Sequence, residues 1–427
     1  MKRLKLDAAV LSSEGLAFHV PKGVGVGQRE RFDEWTQAPA RGAIFSGYRR
    51  QILAGEGLEE SLKLAATWRG RFDTLFVMGI GGSALGTKAV LAALETRLKA
   101  GESRKVVVVD NLDPWAFEAA WAGIDPAKTG FVVITKSGGT IETMSQMGVV
   151  LERLEKAGLN FRERLLAITD PKDGALRAWA TREKVEALSV PPDVGGRFSV
   201  LTPVGLFPLA FAGIDVRALM TGAQSQLAGK EVPLDDVLSL GLRLSEIEEA
   251  GLNGHVLLPY ASVLKEFSAW FVQLWGESLG KRAFNERRVG PIPVAAVGAT
   301  DQHSLLQLLV EGPNRFVTGF LVIEQWENDP IAPKLPAEFA KLAFSEGKSF
   351  SRILNAEAQA TRQTLDGLGR PTYEIRIPRL DAGSLGALLA LYMDLTSAAG
   401  AAAGLNPYDQ PGVELGKRIL PALLAGV

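Results

Sequence analysis

Short, nearly unbroken apolar runs recur through the middle of the chain. Each is followed by a turn and then by a stretch with helical spacing. In the first region the runs are 75–78, 106–109, 131–134, 165–168 and 185–188. Most carry no polar residue, and 106–109 is valine throughout. Runs of this kind predict parallel strands covered on both faces, and the helical spacing between them predicts βαβ crossovers. A second alternating region begins near Gly254. It predicts a strand at 256–258, a long amphipathic helix over 262–277, a loop entered through Pro291-Ile292-Pro293-Val294, a helix at 304–310, and strands at 316–323 and 373–377. The end reads as helical over 385–398 and 413–422, split by the turn Asn406-Pro407-Tyr408-Asp409. Residues 1–55 read as helical and connecting, with Pro21, Gly23 and Gly25 marking a loop.

A length of 427 residues suits two cores better than one. The expected organisation is an N-terminal helical extension (1–55), a first α/β domain (56–220), a second (221–380) and a C-terminal helical segment (381–427). Both α/β domains are expected to be doubly wound with parallel-rich sheets, and ligands of such sheets sit at the carboxyl ends of strands. A net charge of −1 argues against a nucleic-acid binder driven by phosphate neutralisation. The absence of cysteine excludes disulfides, thiol nucleophiles and Cys-ligated metals. Three histidines, His19, His255 and His303, leave little room for a His-based metal site, although an all-oxygen Mg²⁺ site stays open. No apolar signal core follows the basic start Met1-Lys2-Arg3-Leu4-Lys5. The most apolar stretch, 385–395, contains Asp394 and is short for a bilayer span. A soluble, cytoplasmic protein is the expectation, with no membrane partner.

Two strand–turn–helix units stand out chemically. Val132-Val133-Ile134 breaks into Thr135-Lys136-Ser137-Gly138-Gly139-Thr140, and Leu75-Phe76-Val77-Met78 breaks into Gly79-Ile80-Gly81-Gly82-Ser83-Ala84. Glycines let backbone N–H groups converge, hydroxyls add donors, and a following helix points its positive end at the same spot. Such turns suit a phosphorylated small molecule. The first loop also matches a dinucleotide fingerprint, Gly79-x-Gly81-x-x-Ala84, with Asp110 ending the next strand, so a nucleotide-dependent dehydrogenase stays open.

Four further side chains are candidates. Glu277 lies between Gly276 and Gly280 where the amphipathic helix ends. It suits a general base, against the plainer reading of a helix-end ion pair with Lys281 four residues on. Arg197 follows Gly195-Gly196 and offers fixed positive charge to an oxyanion, against a domain-linking salt bridge. His303, in Asp301-Gln302-His303-Ser304, follows a glycine-bearing turn and starts a helix. Lys417, by itself, reads as an ordinary solvated helix lysine.

Taken in order, 79–86, 135–143, 195–199, 260–281, 298–307 and 406–417 resemble the signature stretches of the glucose-6-phosphate isomerase family. Gly195-Gly196-Arg197-Phe198-Ser199, Asp301-Gln302-His303-Ser304 and Gly412-Val413-Glu414-Leu415-Gly416-Lys417 are specific to it, and the length resembles the shorter bacterial type. The resemblance implies two sugar-isomerase-type domains, a C-terminal segment that completes the active site, and a homodimer with sites shared between subunits. It implies that Ser83, Thr135, Lys136, Ser137 and Thr140 hold phosphate beside Gly82, and that Gln273 and Gln410 line the site. Glu277 would move a proton between carbons 1 and 2, and Arg197 would stabilise the enediolate. His303 and Lys417 would assist ring opening. No redox cofactor or metal is implied. Three positions depart from the family: Thr135 replaces the usual serine, Gly139 the usual threonine, and Met393 a usually acidic residue. A non-catalytic phosphosugar sensor on the same fold is the other alternative.

Overall fold

The computed structural model describes residues 5–7, 27–37, 46–98, 101 and 103–426. His19 and the loop expected around Pro21, Gly23 and Gly25 lie outside them.

A short strand β1 (Lys5–Asp7) opens the described chain. Strands β2 (Thr74–Met78), β3 (Lys105–Val109), β4 (Thr129–Ile134), β5 (Leu165–Thr169) and β6 (Glu186–Ser189) form one sheet in the order β3-β2-β4-β5-β6, parallel throughout. β4 and β5 are buried at every position, as their unbroken apolar runs require. Strand β7 (Gly254–Pro259) starts the second half. β8 (Lys281–Arg282) and β9 (Arg288–Val289) make a small antiparallel hairpin. β10 (Ile292–Ala295), β11 (Phe316–Gln325) and β12 (Thr372–Arg379) join β7 and β1 in a second sheet, β1-β12-β11-β7-β10, in which only β1 is antiparallel.

Both sheets wind the same way. The first strand of each half, β2 or β7, sends the chain outward on one side, to β3 or β10. The chain then returns to build the remaining strands on the other side. β2 and β4 are therefore neighbours whose outgoing connections diverge, and a ligand crevice forms at the carboxyl ends of such a pair. The two glycine- and hydroxyl-rich turns leave the sheet at that point.

Differences from the sequence reading have local causes. The segment after Pro291, read as a loop entrance, pairs with β7 as β10. It is an edge strand, where the missing N–H of Pro293 costs no ladder bond. The amphipathic helix runs Lys265–Leu279, so Glu277 lies in its last turn, before the helix end. The apolar stretch near the end is part of a 22-residue helix, Ala382–Ala403, long and apolar enough by length and composition to cross a membrane. In this fold that helix is almost wholly buried, with Asp394 paired to Arg49 and Tyr48. His255 is also fully buried, edge-on to Trp275 with its Nε2 against the Tyr373 hydroxyl, and burial pushes its pKa down to about 3. It is a neutral core residue.

Candidate active site

The phosphate-type turn 135–140 is rigidly backed. The carbonyl of Lys136 accepts from the Thr169 hydroxyl (3.1 Å) and the Asp170 N–H (3.2 Å), and that of Ser137 from the Ala175 N–H (3.3 Å). Gly138 has φ +71°, and a Cβ there would stand 2.3 Å from the Leu176 nitrogen, so only glycine fits. Thr140 precedes the helix Ile141–Lys156 but does not cap it. Its hydroxyl lies 2.9 Å from that of Thr135 instead. The first-turn N–H groups of that helix thus lack a side-chain cap, which suits an anion. Lys136 donates to the carbonyls of Pro192 (2.5 Å) and Val194 (3.2 Å). Burial pulls its pKa down, and Asp170 and Asp193 oppose the shift.

Opposite this turn, two glycine-rich segments touch backbone to backbone. A Cβ on Gly82 would meet the Gly196 carbonyl carbon at 2.2 Å. That contact brings Arg197 to the cleft. Its guanidinium, 1% exposed, donates through Nε to Ser278 Oγ (2.7 Å), through Nη1 to Gln410 Oε1 (2.9 Å) and Glu277 Oε2 (3.3 Å), and through Nη2 to the carbonyls of Pro407 (2.6 Å) and Asp409 (3.0 Å). Burial lowers its pKa, while Glu277 and Asp409 favour its charge. Glu277 keeps 38% of its side chain exposed, and its second oxygen accepts from Gln273 Nε2 (3.3 Å), one helical turn back. The carboxylate is oriented by two donors yet open to a reactant.

These groups line one open cleft of ≈ 680 Å³. Gly82, Ser83, Thr135, Lys136, Ser137, Thr140, Arg197, Gln273, Glu277 and Gln410 all border it. His303 and Lys417 do not. His303 is exposed at the start of the helix Gln302–Glu311, and Lys417 is exposed on the helix Glu414–Leu424. Asp170, Asp173 and Gly174 also border the cleft, although sequence reasoning does not single them out. They form a third turn at the same sheet edge, after β5, and Asp-Pro-x-Asp-Gly following an apolar run was the available signal.

Two sequence readings change. The helix-end pair Glu277–Lys281 does not form. The helix stops at Leu279 and Lys281 begins β8, so the two no longer stand one turn apart on a shared face. Lys281, 8% exposed, reaches Asp409 Oδ1 (2.8 Å) and the Asn406 carbonyl (2.7 Å). Asp110, the would-be ribose ligand, accepts from Lys88 at 3.0 Å.

The chain matches the family model described as phosphoglucose isomerase over residues 63–425. It is 40% identical over 388 residues to the glucose-6-phosphate isomerase of Carboxydothermus hydrogenoformans, covering 87% of this chain and 83% of that one. Among solved structures, a Thermus thermophilus protein described as hypothetical superposes with a TM-score of 0.88 at 34% identity, covering 99% of this chain and 100% of its own. A glucose-6-phosphate isomerase from Chlamydia trachomatis gives 0.76 at 26%, covering 87% of this chain and 74% of its own. The family match runs through both sheets apart from β1 and through every segment that builds the cleft, and the chain belongs to the phosphoglucose isomerase family.

Proposed function

We propose that this chain interconverts glucose-6-phosphate and fructose-6-phosphate through an enediolate. The observation that carries the reading is Glu277. Its carboxylate is steadied by Gln273 and Arg197 and left open in a cleft whose other wall is the hydroxyl-rich turn 135–140. The phosphate sits among Ser83, Thr135, Ser137 and Thr140 and the uncapped helix start, with Lys136 supplying nearby positive charge. In the open-chain aldose, Glu277 removes the proton from carbon 2, and electrons shift toward the carbon-1 oxygen. Arg197 stabilises the resulting oxyanion. A proton passes from the carbon-2 hydroxyl to the carbon-1 oxygen, and the same carboxyl returns its proton to carbon 1 as the carbon-2 carbonyl forms, giving the ketose. Substrate, proton and charge balance without an external oxidant. The dehydrogenase reading loses its support because Asp110 is held by Lys88, and the sensor reading because Glu277 and Arg197 meet in the cleft of a chain that belongs to the phosphoglucose isomerase family.

We further propose that ring opening uses His303 and Lys417 in a homodimer. Both are exposed and outside the cleft lining of their own chain. The C-terminal helix leaves Ile419, Leu423 and Leu424 49%, 68% and 70% exposed, an apolar surface suited to a second copy.

Three outcomes are expected. Glu277→Gln abolishes turnover of fructose-6-phosphate in a coupled assay and leaves phosphosugar affinity nearly intact. Retention of more than about a tenth of wild-type kcat, a loss below ~1.4 kcal/mol of barrier stabilisation, would remove Glu277 from the base role. Gly139→Thr restores a hydroxyl where an added Cβ meets only Ser137 Oγ at 3.5 Å. It should lower KM about three- to tenfold with kcat little changed, and an unchanged KM would mean that the turn already saturates the phosphate. Glu277→Gln and His303→Ala homodimers, each nearly dead, should recover roughly a quarter of wild-type activity when unfolded, mixed equally and refolded, since each mixed dimer has one intact site. No recovery despite verified heterodimers would place His303 in its own subunit's site or outside it.

A further inference from the structure

We propose that Lys281 is a positioning residue for the isomerisation, clamping the turn 406–410 so that Arg197 and Gln410 face the enediolate correctly. The inference rests on the isomerase reading above. The turn is gripped from two sides. Arg197 takes the carbonyls of Pro407 and Asp409 with Nη2, and Gln410 with Nη1. Lys281 takes the Asn406 carbonyl (2.7 Å), Asp409 Oδ1 (2.8 Å) and the same Asp409 carbonyl that Arg197 uses. Asn406 Nδ2 adds a bond to Asp409 Oδ2 (3.2 Å), closing the turn on itself.

The clamp has a reason in geometry. Lys281 stands two residues beyond the helix that carries Gln273 and Glu277, so it ties the turn bearing Gln410 to the end of the base's own helix. Its side chain is not among the groups that border the phosphate cleft. It opens on a neighbouring groove with Arg282, Arg288 and Asn406, whose lining shares Glu277 and Gln410 with the cleft. Without it, Asp409 would be held across the cleft by Arg197 alone, while Tyr408 would stay anchored through Ser397 and Phe198. An arginine displaced by a fraction of an ångström is a poor partner for a charge that exists only in the transition state.

The clamp depends on charge. Burial holds the Lys281 pKa down to about 8, and Arg197 adds to that shift, while Asp409 and Glu277 oppose it. Arg282 and Arg288 of the β8–β9 hairpin face the same groove. A cation whose pKa is lowered is charged below that value and neutral above it, so the clamp weakens as pH rises past about 8.

The test measures steady-state isomerisation of fructose-6-phosphate and binding of a non-reacting phosphosugar analogue, for wild type, Lys281→Met, Lys281→Arg, Asp409→Ala and the Lys281→Met/Asp409→Ala double variant. Inactive wild type would sink the isomerase reading itself. With active wild type, Lys281→Met should lower kcat about 100-fold while analogue affinity stays within about threefold. The double variant should be no worse than the poorer single variant, because both remove one interaction. Wild-type kcat should fall above about pH 8, and Lys281→Arg, which keeps its charge, should carry activity past it. A Lys281→Met kcat within about twofold of wild type, or loss of rate and affinity together, would overturn the proposal. Additive single losses, or an unchanged alkaline limb in Lys281→Arg, would overturn it equally.

Discussion

The guanidinium of Arg197 is the junction on which the site depends. Its donors tie its own glycine turn to two stretches of chain that are far away in sequence: the end of the helix Lys265–Leu279 at Glu277 and Ser278, and the turn 406–410. Only a planar group with five fixed donors can serve all of these partners at once. Left without it, the buried carbonyl of Pro407 and the hydroxyl of Ser278 would each forfeit a partner, at about 1–3 kcal/mol apiece. The same group is a fixed positive charge beside the open carboxylate of Glu277. In the proposed reaction, structural junction and catalytic charge are one side chain, and burial would make it effective in both roles, because a desolvated charge acts strongly on whatever charge develops beside it.

Much of the remaining architecture can be read as holding that junction still. The backbone contact of Gly82 on Gly196 places the Arg197 turn against the first sheet's crevice. The helix Lys265–Leu279 packs on the helix Leu85–Leu94, which itself follows the first glycine loop, so the proposed base and the proposed phosphate wall share one packed unit. The two halves repeat one winding and divide the chemistry. The first supplies the glycine- and hydroxyl-rich turns at its switch point, proposed to hold the phosphate. The second supplies the carboxylate at the end of the helix after β7.

The inner strands β2, β4 and β5 of the first sheet were legible because burial on both faces leaves only one solution, an unbroken apolar run. The turns after β2 and β4 were legible because phosphate recognition needs glycine and hydroxyls in close sequence, and Glu277 and Arg197 because glycines beside a charged residue are unusual. Other parts carried weaker signals. The helix Pro203–Ala212 is buried all round and so has no periodic face to detect. Pro293 hid an edge strand. The partner of Lys281 was not legible, because spacing of four implies contact only while the helix continues, and it ends at Leu279. Asp173 and Gly174 reach the cleft through the fold, since parallel neighbours bring every turn after β2, β4 and β5 to the same edge. For His303 and Lys417, sequence resemblance named the residues, but nothing in their local pattern indicates a path to the cleft.

The central claim is that one carboxylate, Glu277, carries a proton between two carbons while Arg197 holds the charge left behind. The most direct measurement is to run fructose-6-phosphate to glucose-6-phosphate in D₂O and read carbon 2 of the product by NMR. A carboxyl group that holds the proton between removal and return can exchange it with solvent, so the account predicts deuterium at carbon 2. Partial incorporation suffices, because the carboxyl can also return the proton it removed; a complete absence of deuterium there after many turnovers at a carboxylate this exposed would mean that hydrogen passes directly from carbon to carbon, and would contradict it.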